Sequence, residues 1–196
     1  MTSAEQLREY LDKFVKLNDD EFNHFSHPFE EKKVRKKQFI VQPGFHTRHR
    51  YFIIKGLLRS FFVDDEGMEH TMQFGVENWW LSDFNAYIYQ KPATLFIVAL
   101  EDSTLLELAF EREQELKAAD HKFETIFRMM AEKGLAFEHR RILLNQTLSA
   151  EERYNRFAAD FPYFIFRVPQ YMLASYLGMT TVFLSRIRNK KLGKKS

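Results

Sequence analysis

Apolar residues change their spacing twice along the chain, and each change marks a change of element. Over residues 3–17, Leu7, Tyr10, Leu11, Phe14 and Val15 fall on one helical stripe, which predicts a short amphipathic helix. Glu21 to Pro28, with Phe22 and Phe25, reads as a packed turn, and the charged run Glu30 to Lys37 reads as the start of an exposed strand. From Gln38 to Leu108 the apolar residues come in short β-rich runs: FIVQ, YFIIK, LLRSFFV, HTMQF, LFIVAL and TLLEL. Turn signals at Pro43-Gly44, Lys55-Gly56, Asp64-Asp65-Glu66-Gly67 and Gly75 separate them by roughly eight to twelve residues. That is the spacing of an antiparallel sandwich or jelly roll, whereas βαβ units would insert helices between strands.

After Phe110 the pattern is helical to the end. Phe123, Phe127, Met130, Gly134, Phe137, Arg141 and Leu144 alternate steps of four and three, a 3.5-residue period. Such a seam wants a partner helix, and the simplest partner is the same helix of a second chain, so Phe123, Phe127, Met130, Gly134, Phe137 and Leu144 are the expected dimer interface. The alternative is that the stripe packs on the β-roll of its own chain, a role for which Ile126 and Met129 on the neighbouring face are better placed. Next, Ser149-Ala150-Glu151-Glu152 forms a capping box, Tyr154, Phe157, Ala158 and Phe161 face inward, and Pro162 stops that helix. The predicted architecture is α+β: an antiparallel β-roll domain over 1–110, a long dimerisation helix over 111–146 and a helical domain over 147–196.

The most specific stretch is VPQYMLASYLGMTTVFLSRIRNK, Val168 to Lys190. Counting Gln170 as the first position of a helix-turn-helix puts small Ala174 at the fifth, where two helices press together. Gly178 then falls at the ninth, where the turn needs positive φ. Leu173, Leu177, Met179, Leu184 and Ile187 supply apolar faces, Pro169 suits the first turn of a helix, and Thr180 can cap the second. Two ordinary surface helices with a glycine corner would be the plain alternative. Charge weighs against it. From Phe161 to Ser196 there are seven basic residues and no acidic one, whereas the rest of the chain has 22 basic against 27 acidic. A basic helical end on an acidic body is the asymmetry of a duplex-reading module, because phosphate neutralisation releases counterions.

Composition narrows the remaining classes. With 45% hydrophobic residues and 21 Phe among 196 the chain is no disordered polymer. The absence of Cys removes disulfides, thiolate-held clusters and thiol redox sensing. No secretory signal and no apolar run of membrane-spanning length is present, so a cytoplasmic protein without membrane partner is expected. No Gly-rich phosphate loop and no evident nucleophile or acid pair points to an enzyme. His46, His49 and His70 make a cupin-like metal site conceivable, but no carboxylate spacing completes a ligand set, so neither metal nor cofactor is expected.

Taken together, a β-roll, a long interface helix, SAEERYNRFAADFP and VPQYMLASYLGMTTVFLSRIR resemble the Crp/Fnr superfamily of bacterial transcription regulators, especially effector-poor members of the Bacteroidetes type. The resemblance covers nearly the whole chain and implies a jelly-roll cyclic-nucleotide-binding-like domain followed by a winged-helix-like DNA-binding domain. It implies a homodimer on double-stranded DNA and, for activators, contact with RNA polymerase. Carried over by position, Thr181, Val182 and Arg186 sit where base edges are read, and Thr180, Ser185, Arg188 and Lys190 sit nearer phosphates. Many members have Glu where this chain has Val182. Cyclic-nucleotide-binding members use a Gly-Glu pair and, about ten residues on, an Arg followed by Ser or Thr. The matching stretch here holds Ser82, Asp83, Lys91 and Thr94, with no Arg and with Lys91 out of register, so the effector pocket is degenerate and cyclic AMP is not expected to bind. Trp79 and Trp80 are bulky enough to fill it.

Overall fold

The computed structural model describes residues 1–193, the side chains of 191–193 excepted, so Lys194 and Lys195 of the basic end and the side chain of Lys191 lie outside what is described. Helix α1, Ser3–Leu11, begins at a capping box in which Thr2 Oγ1 accepts from the Glu5 amide at 3.2 Å and Glu5 accepts from the Thr2 amide at 2.7 Å. It is shorter than the apolar stripe foretold, because a turn follows Leu11. The passage read as a packed turn is instead helix α2, Asp19–Ser26, started by a second such box between Asn18 and Glu21. Its Phe22 and Phe25 are both buried, and the Asn18–Glu21 spacing was the signal that should have revealed it.

Eight strands follow: β1 Glu30–Val34, β2 Phe39–Val41, β3 His49–Lys55, β4 Leu58–Val63, β5 Glu69–Gly75, β6 Trp80–Leu81, β7 Phe96–Ala99 and β8 Ser103–Ala109. They form two four-stranded sheets of order β1-β8-β3-β6 and β2-β7-β4-β5, and the registers between β1 and β8, β3 and β8, and β4 and β7 are antiparallel. Every predicted β run lies on a strand. Their inward faces build one cluster, including Val41, Ile53, Leu58, Leu81, Ile97 and Leu105. At the β3–β4 turn Gly56 has φ +112°, and a Cβ there would run into Ser103, so only glycine fits. A short helix, α3 Phe84–Tyr89, interrupts the roll between β6 and β7.

Beyond the roll come α4 Phe110–Ala119, α5 His121–Thr147, α6 Ala150–Asp160, α7 Phe164–Arg167, α8 Gln170–Tyr176 and α9 Thr181–Gly193. Extended backbone at Asp120 separates α4 from α5. The chain forms two compact units. The first comprises Met1–Phe61 and Phe74–Gly134, the second Phe62–Gln73 and the chain from Leu135 onward. These boundaries depart from a partition by sequence order in two places. Helix α5 contributes its first half to one unit and its second half to the other, and the tip of the β4–β5 hairpin clusters with the helices. In that second unit Ser175 of α8 donates to the Glu69 carbonyl at 3.0 Å and accepts from the Thr71 amide at 2.8 Å, which satisfies the outer edge of β5. The expected wing has no counterpart: among the described residues no strand lies between 148 and 193, so helices alone carry the helix-turn-helix.

The first half of α5 packs within its own unit. Phe123, Phe127 and Met130 are buried together with Ile126 among Leu7, Leu11, Phe25, Phe52 and Leu116. They are therefore unavailable to a second chain, and this part of the expected dimer seam is corrected to an intrachain core. The heptad spacing arose because α1, α2 and the roll cover a stripe as straight as a partner helix would.

Candidate nucleic-acid interface and effector pocket

The helix-turn-helix is built as its spacing implies. Pro169 caps α8, and its carbonyl accepts from the Met172 and Leu173 amides at 3.1 Å. Ala174 is 1% exposed at the helix crossing, and Gly178 has φ +64° in the turn. Thr180 starts α9, its Oγ1 accepting from the Phe183 amide at 3.2 Å. Leu184 and Ile187 point inward and are buried, which turns Val182, Arg186 and Asn189 outward as one stripe. Val182 is 62% exposed. Thr180 and Thr181 are exposed beside it, while Ser185 and Arg188 are half-buried on its flank. Lys190 is exposed and lies 3.5 Å from Glu151 of α6. Asn189 was not singled out in the sequence, although its i+3 spacing from Arg186 was the signal that could have found it.

One residue of α6 braces this arrangement. Arg153 donates through Nε to the Leu177 carbonyl at 3.1 Å and through Nη2 to that of Gly178 at 3.4 Å, both in the turn. Its Nη1 reaches the Leu148 and Asn145 carbonyls at 2.9 and 3.3 Å, at the end of α5. These are carbonyls that helix and turn geometry leaves unsatisfied. A single guanidinium thereby links the end of the long helix to the turn that aims α9.

In the roll, the stretch matching a phosphate-binding cassette is occupied by the protein itself. Asp83 caps α3 and is 1% exposed. Its Oδ1 accepts from the Ala86 amide at 3.1 Å, while Oδ2 accepts from the Thr94 and Leu95 amides at 2.7 and 3.0 Å and from Thr94 Oγ1 at 3.3 Å. The Asp83 carboxylate thus satisfies the amides of this stretch itself, and Ala93 beside them is buried. The other two expected pocket residues are not drawn in. Ser82 donates to the His49 carbonyl at 3.1 Å, and Lys91 is exposed with Nζ 5.9 Å from the Tyr89 ring. Trp79 packs against the interior of the roll, but Trp80 packs on the opposite cluster with the helices, so only one of the two tryptophans fills the roll.

A buried polar centre that sequence reasoning missed lies behind the cassette. Glu113 of α4, 1% exposed, accepts from Arg50 of β3 and from the Tyr87 hydroxyl of α3, each at 2.8 Å, and from Lys117 at 2.6 Å. Burial works to raise the Glu113 pKa, but Arg50, Lys117 and the Tyr87 hydroxyl outweigh it and hold the carboxyl below its usual range. Burial, reinforced by the Glu113 charge, pushes the Tyr87 phenol well above its ordinary value, which keeps it a donor. The Arg50 guanidinium lies 5.0 to 5.9 Å from the rings of Trp80, Phe84, Tyr87 and Phe127. The cassette helix is thereby tied to β3 and α4 through one carboxylate. Because these residues are 26 or more positions apart, with only Lys117 in local register, no spacing could announce them.

The histidines singled out in the sequence do not converge on a metal. His70 bonds Asp64 at 2.6 Å and holds that carboxyl below its usual range, and His49 lines a groove with His24 and His27. Among the described residues no three His, Cys, Asp or Glu side chains are grouped to hold a metal ion. No described helix is long and apolar enough to cross a membrane.

Comparison with known proteins agrees with this geometry. Residues 31–120 match the cyclic nucleotide-binding domain family. The regulatory protein HlyX of Actinobacillus pleuropneumoniae is 29% identical over 184 residues, covering 87% of this chain and 75% of HlyX. The chain is thus similar to regulators of the Crp/Fnr superfamily. Among solved structures, FixK2 of Bradyrhizobium japonicum has a TM-score of 0.74 at 16% identity, covering 85% of this chain and 86% of that one. A CRP/FNR-family transcriptional regulator of Thermus thermophilus has a TM-score of 0.65 at 19% identity, covering 84% of this chain and 87% of that one. What the chain shares with these solved structures is the fold, a jelly-roll first part followed by a helical end.

Proposed function

We propose that this protein is a transcription regulator, a homodimer that reads a specific double-stranded DNA sequence with α9, and that its roll does not respond to cyclic nucleotides. The exposed stripe Val182, Arg186 and Asn189, on a helix whose other side is anchored by Leu184 and Ile187, carries this reading. A guanidinium presented there pairs bidentately with guanine O6 and N7, Asn189 can pair with adenine, and Val182 offers an apolar contact to a thymine methyl. Thr180, Thr181, Ser185, Arg188 and Lys190 flank the stripe and suit backbone positioning. Two copies would place their α9 helices one helical turn of DNA apart.

The dimer seam follows from what remains exposed on α5. Leu135, Ile142 and Leu143 are 59%, 50% and 57% exposed, an apolar line that a second copy of the same helix would cover. Against cyclic nucleotides stand the self-satisfied Asp83 and the missing cation at Ala93: a cyclic phosphate would meet a carboxylate where it needs positive charge.

The test is a titration of purified protein against pooled genomic fragments at two salt concentrations, with and without cyclic AMP, beside Arg186→Ala. Selective, salt-sensitive binding without nucleotide is expected, and losing Arg186 should cost about 1–3 kcal/mol at one base step. Selectivity that emerges only with cyclic AMP would overturn the pocket reading, and Arg186→Ala with unchanged selectivity would overturn the assignment of the reading face.

A further inference from the structure

The second unit contains a cavity of about 80 Å³ where the second half of α5 meets α6 and α8. Its floor is apolar, made by Phe137, Leu144, Leu148, Phe157 and Leu177. Phe137, Arg141 and Leu144 belong to the stripe expected to form the dimer seam. Here all three line the cavity. Water would find too few polar partners on such a floor to be well held.

The mouth, by contrast, carries excess positive charge. Arg140 and Arg156 share one carboxylate, Asp160, at 3.6 and 3.0 Å. Arg141 is matched by Glu138 at 2.7 Å, and Arg153 spends its donors on four backbone carbonyls. Tyr176 adds no negative charge, because burial pushes its phenol up to about 12. Two guanidiniums with one carboxylate between them, above an apolar floor, complement a molecule with an apolar body and a single anionic head.

We propose that this cavity is an effector site for a small apolar monocarboxylate, such as a short-chain fatty acid or a monocyclic aromatic acid. The head pairs with Arg140 of α5 and Arg156 of α6, and the body fills the floor between them. Such a ligand bridges the two helices at the joint that Arg153 braces, so its occupancy biases the aim of α9. Only this last consequence rests on the DNA-binding reading; occupancy of the site does not.

The test uses the full-length protein and two probes, benzoate and hexanoate, titrated by calorimetry and by protein NMR without DNA. Saturable binding is expected with a dissociation constant on the order of 0.1–1 mM, the range that so few ligand atoms support. Benzyl alcohol and hexanol, which lack the charge, should bind at least tenfold more weakly. Leu144→Trp, which fills the floor, should abolish binding, and the double variant Arg140→Gln/Arg156→Gln, altered only at exposed side chains, should weaken it at least tenfold. No saturation by either acid up to 10 mM (about ten times the weaker expected constant), equal affinity for acids and alcohols, or binding untouched by both variants would overturn the proposal. A ligand that binds as described but leaves DNA affinity unchanged would keep the site and remove its regulatory role.

Discussion

Removing the Glu113 carboxylate should unlock the buried centre that ties the cassette helix to the rest of the roll. Glu113→Ala leaves Arg50, whose side chain is 11% exposed, without its counterion, and the Arg50 Nε already has no hydrogen-bond partner. Breaking a buried pair by deleting one partner costs about 3–5 kcal/mol. The four rings at 5.0 to 5.9 Å recover part of that, on the order of 1–2 kcal/mol. A net loss of about 1–4 kcal/mol is expected. Urea denaturation followed by tryptophan fluorescence reads it directly, because Trp79 and Trp80 are the only tryptophans and both lie in the first unit. The matching apolar pair, Arg50→Met with Glu113→Leu, should recover most of the loss, since both charges leave together. Acid gives a second handle. The Glu113 pKa is lowered on folding, so its contribution is complete above the unfolded carboxyl value of about 4.3 and fades as pH falls through the folded value. The stability gap between the natural protein and Glu113→Gln should thus be flat near neutrality and narrow below about pH 4. A Glu113→Ala loss under about 1 kcal/mol, or a double variant no better than the sum of its parts, would refute the reasoning.

The other predictions separate the roles of single residues. Leu135→Glu with Ile142→Glu should turn the proposed dimer into a monomer by light scattering, whereas Phe127→Ala should cost about 3–5 kcal/mol of stability and leave the assembly state intact at temperatures where it remains folded. Asp83→Ala removes the cap of α3 and the acceptor for the Thr94 and Leu95 amides; it should lower stability by about 1–3 kcal/mol by denaturation.

Much of the architecture was legible because it rests on local chemistry. Capping boxes at Ser149 and Glu152, alternating β runs between glycine turns, and the Ala174 and Gly178 positions of the helix-turn-helix depend on interactions between residues a few positions apart, which spacing records. Helix α2 was legible by the same rule at Asn18 and Glu21 but was overshadowed by its low apolar content. The Arg186 face belonged to this class too, since the burial of Leu184 and Ile187 follows from helical period alone.

Only tertiary structure decided what each apolar stripe packs against. A 3.5-residue period at Phe123, Phe127 and Met130 states that one side of a helix is covered; whether a second chain or the protein's own α1 and α2 covers it depends on where those helices dock. The Asp83 carboxylate likewise found its partners only through the fold, because a loop eleven residues on brings the Thr94 and Leu95 amides onto it. The Glu113 centre required three distant elements, β3, α3 and α4, to meet. Short-range patterns are written by backbone geometry, whereas long-range partners are chosen by burial and charge neutralisation among groups that the order of residues does not relate.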